Sequence, residues 1–178
     1  YVAEVWAGDS VPASFEKKQY KGVQPFSISA GQTVQVEIEC KIANTVVEVR
    51  YDESVGNVLS DYSMTVGHKA GSLTWGGSED NGKVGYFMIP SFDKKLTCTL
   101  AGKLTDGSDF TKETLIENPK PATKYLLTIK HNPQGDEEIG GGLFTIIVDE
   151  TAIEVEDVIE IVSAPVIQAL NFDIDQPV

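Results

Sequence analysis

Residues 33–40 alternate more regularly than any other stretch of the chain: Val34, Val36, Ile38 and Cys40 fall on one side, Thr33, Gln35, Glu37 and Glu39 on the other. A period of two belongs to an extended strand with one dry and one wet face, so a strand is predicted here. Ala43-Asn44 interrupts the pattern. Val47, Val49 and Tyr51 then resume it against Glu48 and Arg50, which predicts a corner or hairpin-like connection into a second half-buried strand. Tyr62, Met64 and Val66 alternate with Ser63 and Thr65, and Leu96, Cys98 and Leu100 with Thr97 and Thr99. Residues 86–89 are apolar without a break until Pro90, the pattern of a central strand covered on both faces.

Shorter strands are predicted over 1–6, 11–15, 73–75 and 110–116, and a strong one over 143–148. Residues 153–161 predict a weaker strand whose register breaks at Asp157-Val158, as at a bulge or a change of sheet. Val55, Val58 and Leu59 are spaced for a single helical turn or an anchored loop. Turn chemistry separates the strands: Gly8-Asp9, Ala30-Gly31, the run 76–82, Asp106-Gly107-Ser108-Asp109 and the loop 131–136.

At Asn118-Pro119-Lys120-Pro121 two prolines remove ladder donors, so a corner is predicted there and a strand after it, with Tyr125, Leu127 and Ile129 on one face. Pro121-x-Thr123-x-Tyr125 resembles the tyrosine corner of fibronectin type III and other immunoglobulin-like sandwiches, in which the hydroxyl bonds a backbone group upstream. The fold class expected is all-β: an antiparallel Greek-key β-sandwich, immunoglobulin- or transthyretin-like, of about nine to eleven short strands. Ser163-Ala164-Pro165 reads as a boundary, giving a sandwich domain over 1–163 and an extension or linker to a further domain over 164–178.

A chain of 178 residues has room for one good-sized core, since roughly 70% of the unfolded surface is buried at this size. Its net charge is −13, from 14 basic and 27 acidic residues. That field repels polyanions, and no basic stripe with interleaved aromatics offsets it, so nucleic acid is not an expected partner. No apolar run reaches the length of about 18 residues that a membrane helix needs. Starting at Tyr1 inside a strand pattern, the chain reads as a processed or trimmed piece, with any leader or lipid-attachment cysteine upstream of it. Cys40 and Cys98 lie outside any C-x-x-C. They are buried thiols or, alternatively, a bridge between sheets.

Candidate chemistry is sparse. His68 and His131 each follow a strand, and neither has a G-x-S-x-G or comparable partner motif, so no catalytic residue is assigned. Asp106 to Asp109, Glu79-Asp80-Asn81 and Asp136-Glu137-Glu138 offer hard oxygens on turns, but none has the spacing of an EF-hand loop, and no metal or cofactor is expected. Trp6, Trp75 and Tyr86 are the aromatics that a sugar ring would stack on if they shared an exposed face. Trp75, beside the Gly-rich acidic run 76–82, is the ligand-binding candidate; Tyr86, among apolar neighbours, is expected in the core.

Cys40-Lys41-Ile42-Ala43-Asn44 followed by the strand to Tyr51, the Tyr86-Phe87 strand, Pro121-x-x-x-Tyr125, Ile146-Ile147-Val148-Asp149-Glu150 and the Ala164-Pro165 exit carry a family likeness. With them the chain resembles the lipid-anchored surface proteins of Bacteroidetes that contain fimbrillin-like β-sandwich domains, in particular an uncharacterised domain family of gut species. The resemblance implies an exported protein tethered by lipid to the outer face of the outer membrane, a non-enzymatic adhesin or fimbria-like component whose partners are other surface or fimbrial proteins. It implies no catalytic residue. A tail over 166–178 with no domain of its own is a linker to a further domain or, alternatively, a candidate donor of a strand to a neighbour. The alternative function is a carbohydrate-binding module of a glycan-uptake system, with Trp75 in the site.

Overall fold

A computed structural model of the chain describes residues 1–133 and 143–153. The break at Asp157-Val158, the boundary at Ser163-Ala164-Pro165, the donor tail 166–178 and the acidic run Asp136-Glu137-Glu138 lie outside these residues. Twelve strands are described: β1 Val2–Gly8, β2 Ala13–Ser14, β3 Gln19–Pro25, β4 Lys41–Ile42, β5 Thr45–Tyr51, β6 Leu59–His68, β7 Gly71–Gly76, β8 Val84–Phe87, β9 Lys95–Leu104, β10 Asp109–Glu117, β11 Thr123–His131 and β12 Phe144–Ala152. The only helical pieces among the described residues are the 3-10 turns Val55–Asn57 and Ser78–Asp80.

The molecule is an all-β sandwich. One layer is five-stranded, in the order β12-β11-β5-β8-β2, and the other four-stranded, in the order β10-β9-β6-β7. Their inward residues form one cluster: Val47, Val49, Phe87, Leu127 and Ile129 from the first layer meet Met64, Val66, Trp75, Leu96, Cys98 and Leu100 from the second, all of them fully buried. The described pairings are antiparallel except that of β5 with β11, where Thr45 lies beside Thr123 and Tyr51 beside Ile129 in parallel. β6 carries an extra residue between Ser60 and Ser63 against β9, with Asp61 at a φ of 47°, a bulge that lets the strand bend.

A third, small sheet, β1-β3-β4, stands beside the sandwich. Asn44 fixes the joint. Its side-chain oxygen accepts the Gln19 amide at 2.7 Å, its carbonyl accepts the Ala122 amide at 3.0 Å, and the neighbouring Ala43 amide donates to the Gln19 carbonyl at 2.7 Å. The interruption at Ala43-Asn44 is thus the point where the chain leaves the small sheet for the centre of the large one.

Three expectations are corrected. Residues 33–40, the most regular alternation in the sequence, join no ladder. Val36, Ile38 and Cys40 are half-buried and Val34 is exposed, and a Cβ on Gly22 would lie 2.6 Å from Ile38 Cγ2 and 2.8 Å from Cys40 Sγ. The segment is an extended cover laid across β3 at Gly22, which explains an alternating pattern without backbone pairing. β5 is wet on its outer face only at Arg50, because its other outward residues Val46 and Glu48 are buried. β8 is not sealed on both faces: Gly85 and Phe87 point into the core, whereas Val84 and Tyr86 are half-buried on the outer face.

The tyrosine corner is present. Tyr125 is buried, and its hydroxyl oxygen accepts the Lys120 amide at 3.2 Å, a bond across the two-proline turn. Tyr125→Phe is expected to lower stability by about 0.5–1.5 kcal/mol, the worth of one neutral hydrogen bond. Chemical denaturation would measure it as a lower midpoint at unchanged slope.

Candidate functional site

Most sequence-flagged polar groups turn out to hold turns and strand ends. Asp106 Oδ1 accepts the Ser108 amide at 2.8 Å and the Ser108 hydroxyl at 2.6 Å, closing the β9–β10 hairpin over Gly107 at a φ of 85°. These bonds hold the Asp106 carboxyl below the usual carboxylate range. Asp80 accepts the Gly76 amide at 2.8 Å and pairs with Lys83 at 3.2 Å. Asn81 bonds the amide and carbonyl of Tyr51 at 2.7 and 3.1 Å, imitating a strand at the end of β5. The acidic run 76–82 is thus stapled to the sandwich. Among the described residues, no three His, Cys, Asp or Glu side chains are gathered as metal ligands would be.

The histidines are also engaged structurally. His68 Nδ1 accepts the Ala70 amide at 3.1 Å, which leaves Nε2 protonated to donate to the Pro12 carbonyl at 3.2 Å. The His131 ring leans on Phe144, with centroids 5.6 Å apart. Cys40 and Cys98 are free thiols. Burial pushes the Cys98 thiol up to about 12, so little of it is the reactive thiolate near neutral pH.

Trp75 is not at a loop mouth. It is fully buried, its indole N–H donates to the Lys83 carbonyl at 2.8 Å, and Phe15 meets it edge-on at 5.0 Å. The pairing of Trp75 with Met64 puts both on the core side, so the expected sugar platform is a core residue. Tyr86 lies on the outer face of the five-stranded sheet, with the Lys18 ammonium 5.6 Å from its ring centroid. Nearby, buried Glu48 is bonded by Arg50 at 2.6 Å and by Lys124. Burial alone would raise its carboxyl, but the two cations outweigh that and hold it below the ordinary value.

The small sheet is where the surface departs from expectation. Of the ten large apolar side chains left exposed among the described residues, six fall within the first 34 positions of the chain: Tyr1, Val2, Trp6, Val23, Ile28 and Val34. Of these, Val2, Trp6 and Val23 stand together on the small sheet, whereas exposed apolar residues are ordinarily scattered singly. The register Val2–Pro25, Glu4–Val23 and Trp6–Lys21 places Val2, Glu4, Trp6, Lys21, Val23 and Pro25 on one face. Trp6 is 48% exposed, the Lys21 ammonium sits 4.3 Å from its ring centroid, and its indole N–H donates to Glu4 at 2.6 Å. Glu4 also pairs with Lys21 at 2.8 Å, and the Lys21 and Trp6 bonds together keep its carboxyl low. The ring is thus held in place by its own cross-strand and same-strand neighbours. On the opposite face Tyr1 stacks on Phe26 at 5.7 Å. Trp6 was legible in the sequence only as one of three aromatics; the missing signal was the cross-strand lysine, which depends on register.

Sandwich and small sheet together define a β-sandwich module that carries an exposed, oriented indole. The chain belongs to the family described as Domain of unknown function (DUF4493), which matches residues 1–163. Neither a curated protein nor a solved structure matches it.

Proposed function

We propose that the chain is a non-enzymatic module of a cell-surface lipoprotein, held at the outer face of the outer membrane, that acts in adhesion or as a fimbria-like component through the small sheet. The observation that carries the proposal is the cluster of Trp6, Val2 and Val23 on a face whose indole is already oriented by Glu4 and Lys21. A chain of net charge −13 resists nonspecific association, so an apolar face of this kind favours a specific partner. The cell-surface location rests on the resemblance to lipid-anchored Bacteroidetes proteins.

The test is adhesion of cells displaying the chain to epithelial layers and to one another, compared with a Trp6→Ala/Val23→Ser variant. Loss of adhesion with an unchanged melting temperature supports the assignment; full retention overturns it. A glycan array is the second arm. Strong binding to one oligosaccharide, abolished by Trp6→Ala, would replace adhesion with the carbohydrate-binding alternative, now without Trp75 as its platform.

A further inference from the structure

We propose that β1 pairs edge to edge with β1 of a second copy of this chain, joining two small sheets into one across a twofold axis at Val5, a partner assignment that rests on the contact surface proposed above. Tyr1 and Phe26 exchange both backbone bonds, at 2.9 and 3.0 Å. In an antiparallel ladder such close pairs recur at every second residue, so Ala3, Val5 and Ala7 also aim their backbone groups at β3. Val2, Glu4, Trp6 and Gly8 therefore aim theirs away from it, on the side where β1 is outermost among the described residues. Native edges of this kind are blunted by proline, lysine or short length. β1 runs for seven residues, contains neither proline nor lysine, and carries Glu4 as its one charge. The two nine-residue outer strands are better protected, with Lys112, Glu113 and Glu117 on β10 and Asp149 and Glu150 on β12.

The open side of β1 is complementary to itself. Antiparallel pairing must set outward residues against outward residues, and centring it on Trp6 leaves Val2 without a partner on β1, so two registers remain. One places Glu4 opposite Glu4 of the copy, a like-charge contact that destabilises a sheet. The other places Val5 opposite Val5, Glu4 opposite Trp6 and Val2 opposite Gly8, so that each outward residue of one strand meets one of the other. Residues directly opposite share a face, and each Glu4 then lies beside the indole and ammonium cluster of the copy instead of beside another carboxylate. Ala3, Val5 and Ala7 are small on the reverse face and let the strands approach.

In this register Val5 and its image form a pair without direct backbone bonds, with Cα atoms about 4.5 Å apart, within the reach of a disulfide. The test uses the full chain with Cys40→Ser, which removes the thiol packed near Gly22, the cross-strand neighbour of Val5. Under mild oxidation Val5→Cys is expected to yield a covalent dimer and Ala3→Cys alone none, because Ala3 faces Ala7. In sedimentation velocity the unmodified chain is expected to dimerise with rising concentration. Glu4→Pro, which removes an outward amide and leaves the bonds to β3 intact, should weaken this about tenfold or more, the worth of at least one lost hydrogen bond. A chain that stays monomeric throughout, or cross-linking through Ala3→Cys and not Val5→Cys, overturns the pairing. A monomeric chain whose adhesion still depends on Trp6 overturns the pairing alone and leaves the contact surface standing.

Discussion

Trp75→Ala is expected to destabilise the protein by about 3–5 kcal/mol, the usual cost of emptying a buried aromatic site. The indole is fully enclosed, packed edge-on against Phe15 and bonded to the Lys83 carbonyl at 2.8 Å. Removing it leaves a cavity and an unmade backbone bond together. The Tyr51 hydroxyl bonds the Trp75 carbonyl at 2.8 Å and stays, because that carbonyl belongs to the backbone of β7. The damage should therefore be a lowered melting temperature with the fold retained. Thermal unfolding by circular dichroism measures it, and a change below about 1 kcal/mol would place Trp75 outside the core, since surface substitutions stay in that range.

Gly85→Val is the second large effect, expected at about 1–3 kcal/mol from overpacking. A Cβ at Gly85 would lie 2.8 Å from Trp75 Cη2 and Cζ2 and from Leu73 Cδ1, inside van der Waals contact. Gly85 sits opposite Val47 on β5, so the backbone cannot retreat without disturbing the centre of the sheet. The two substitutions are coupled. In a Trp75→Leu background the vacated space receives the valine, and the cost of Gly85→Val should shrink, with a non-additive term of the size seen for residues in contact, about 0.5–3 kcal/mol. Denaturant titration of the four proteins of the cycle decides it: strict additivity would mean that the indole does not rest on Gly85.

The all-β class was legible because periodicity reports burial, and burial follows alternation wherever a strand has a dry face. Tyr125, Leu127 and Ile129 after the two prolines, and Val47, Val49 and Tyr51 after Asn44, were readable in this way. Residues 33–40 show its limit. Alternation records that every second side chain is covered, not that the backbone has a neighbour, and here the cover is β3 itself at Gly22. Trp75 shows a different limit. Its place next to a glycine-rich run suggested exposure, yet the parity of Leu73-Thr74-Trp75 and the glycine at 85 already described a large ring fitted against a bare strand. The exposed indole cluster was the least legible part, because Trp6, Lys21 and Glu4 come together only through the β1–β3 register. No local pattern encodes a register between strands joined through a detour into another sheet.

The side-by-side alignment of Thr45–Tyr51 with Thr123–Ile129 has a consequence for how the molecule is made. A growing chain that has emerged only as far as residue 110 already contains the middle strand of its larger layer, with one flank bare. That flank is satisfied only by sequence translated much later. Closing so long a loop is entropically costly and slow relative to hairpin formation, and during synthesis a ribbon destined for almost complete enclosure waits with an open side for a partner the ribosome has yet to release.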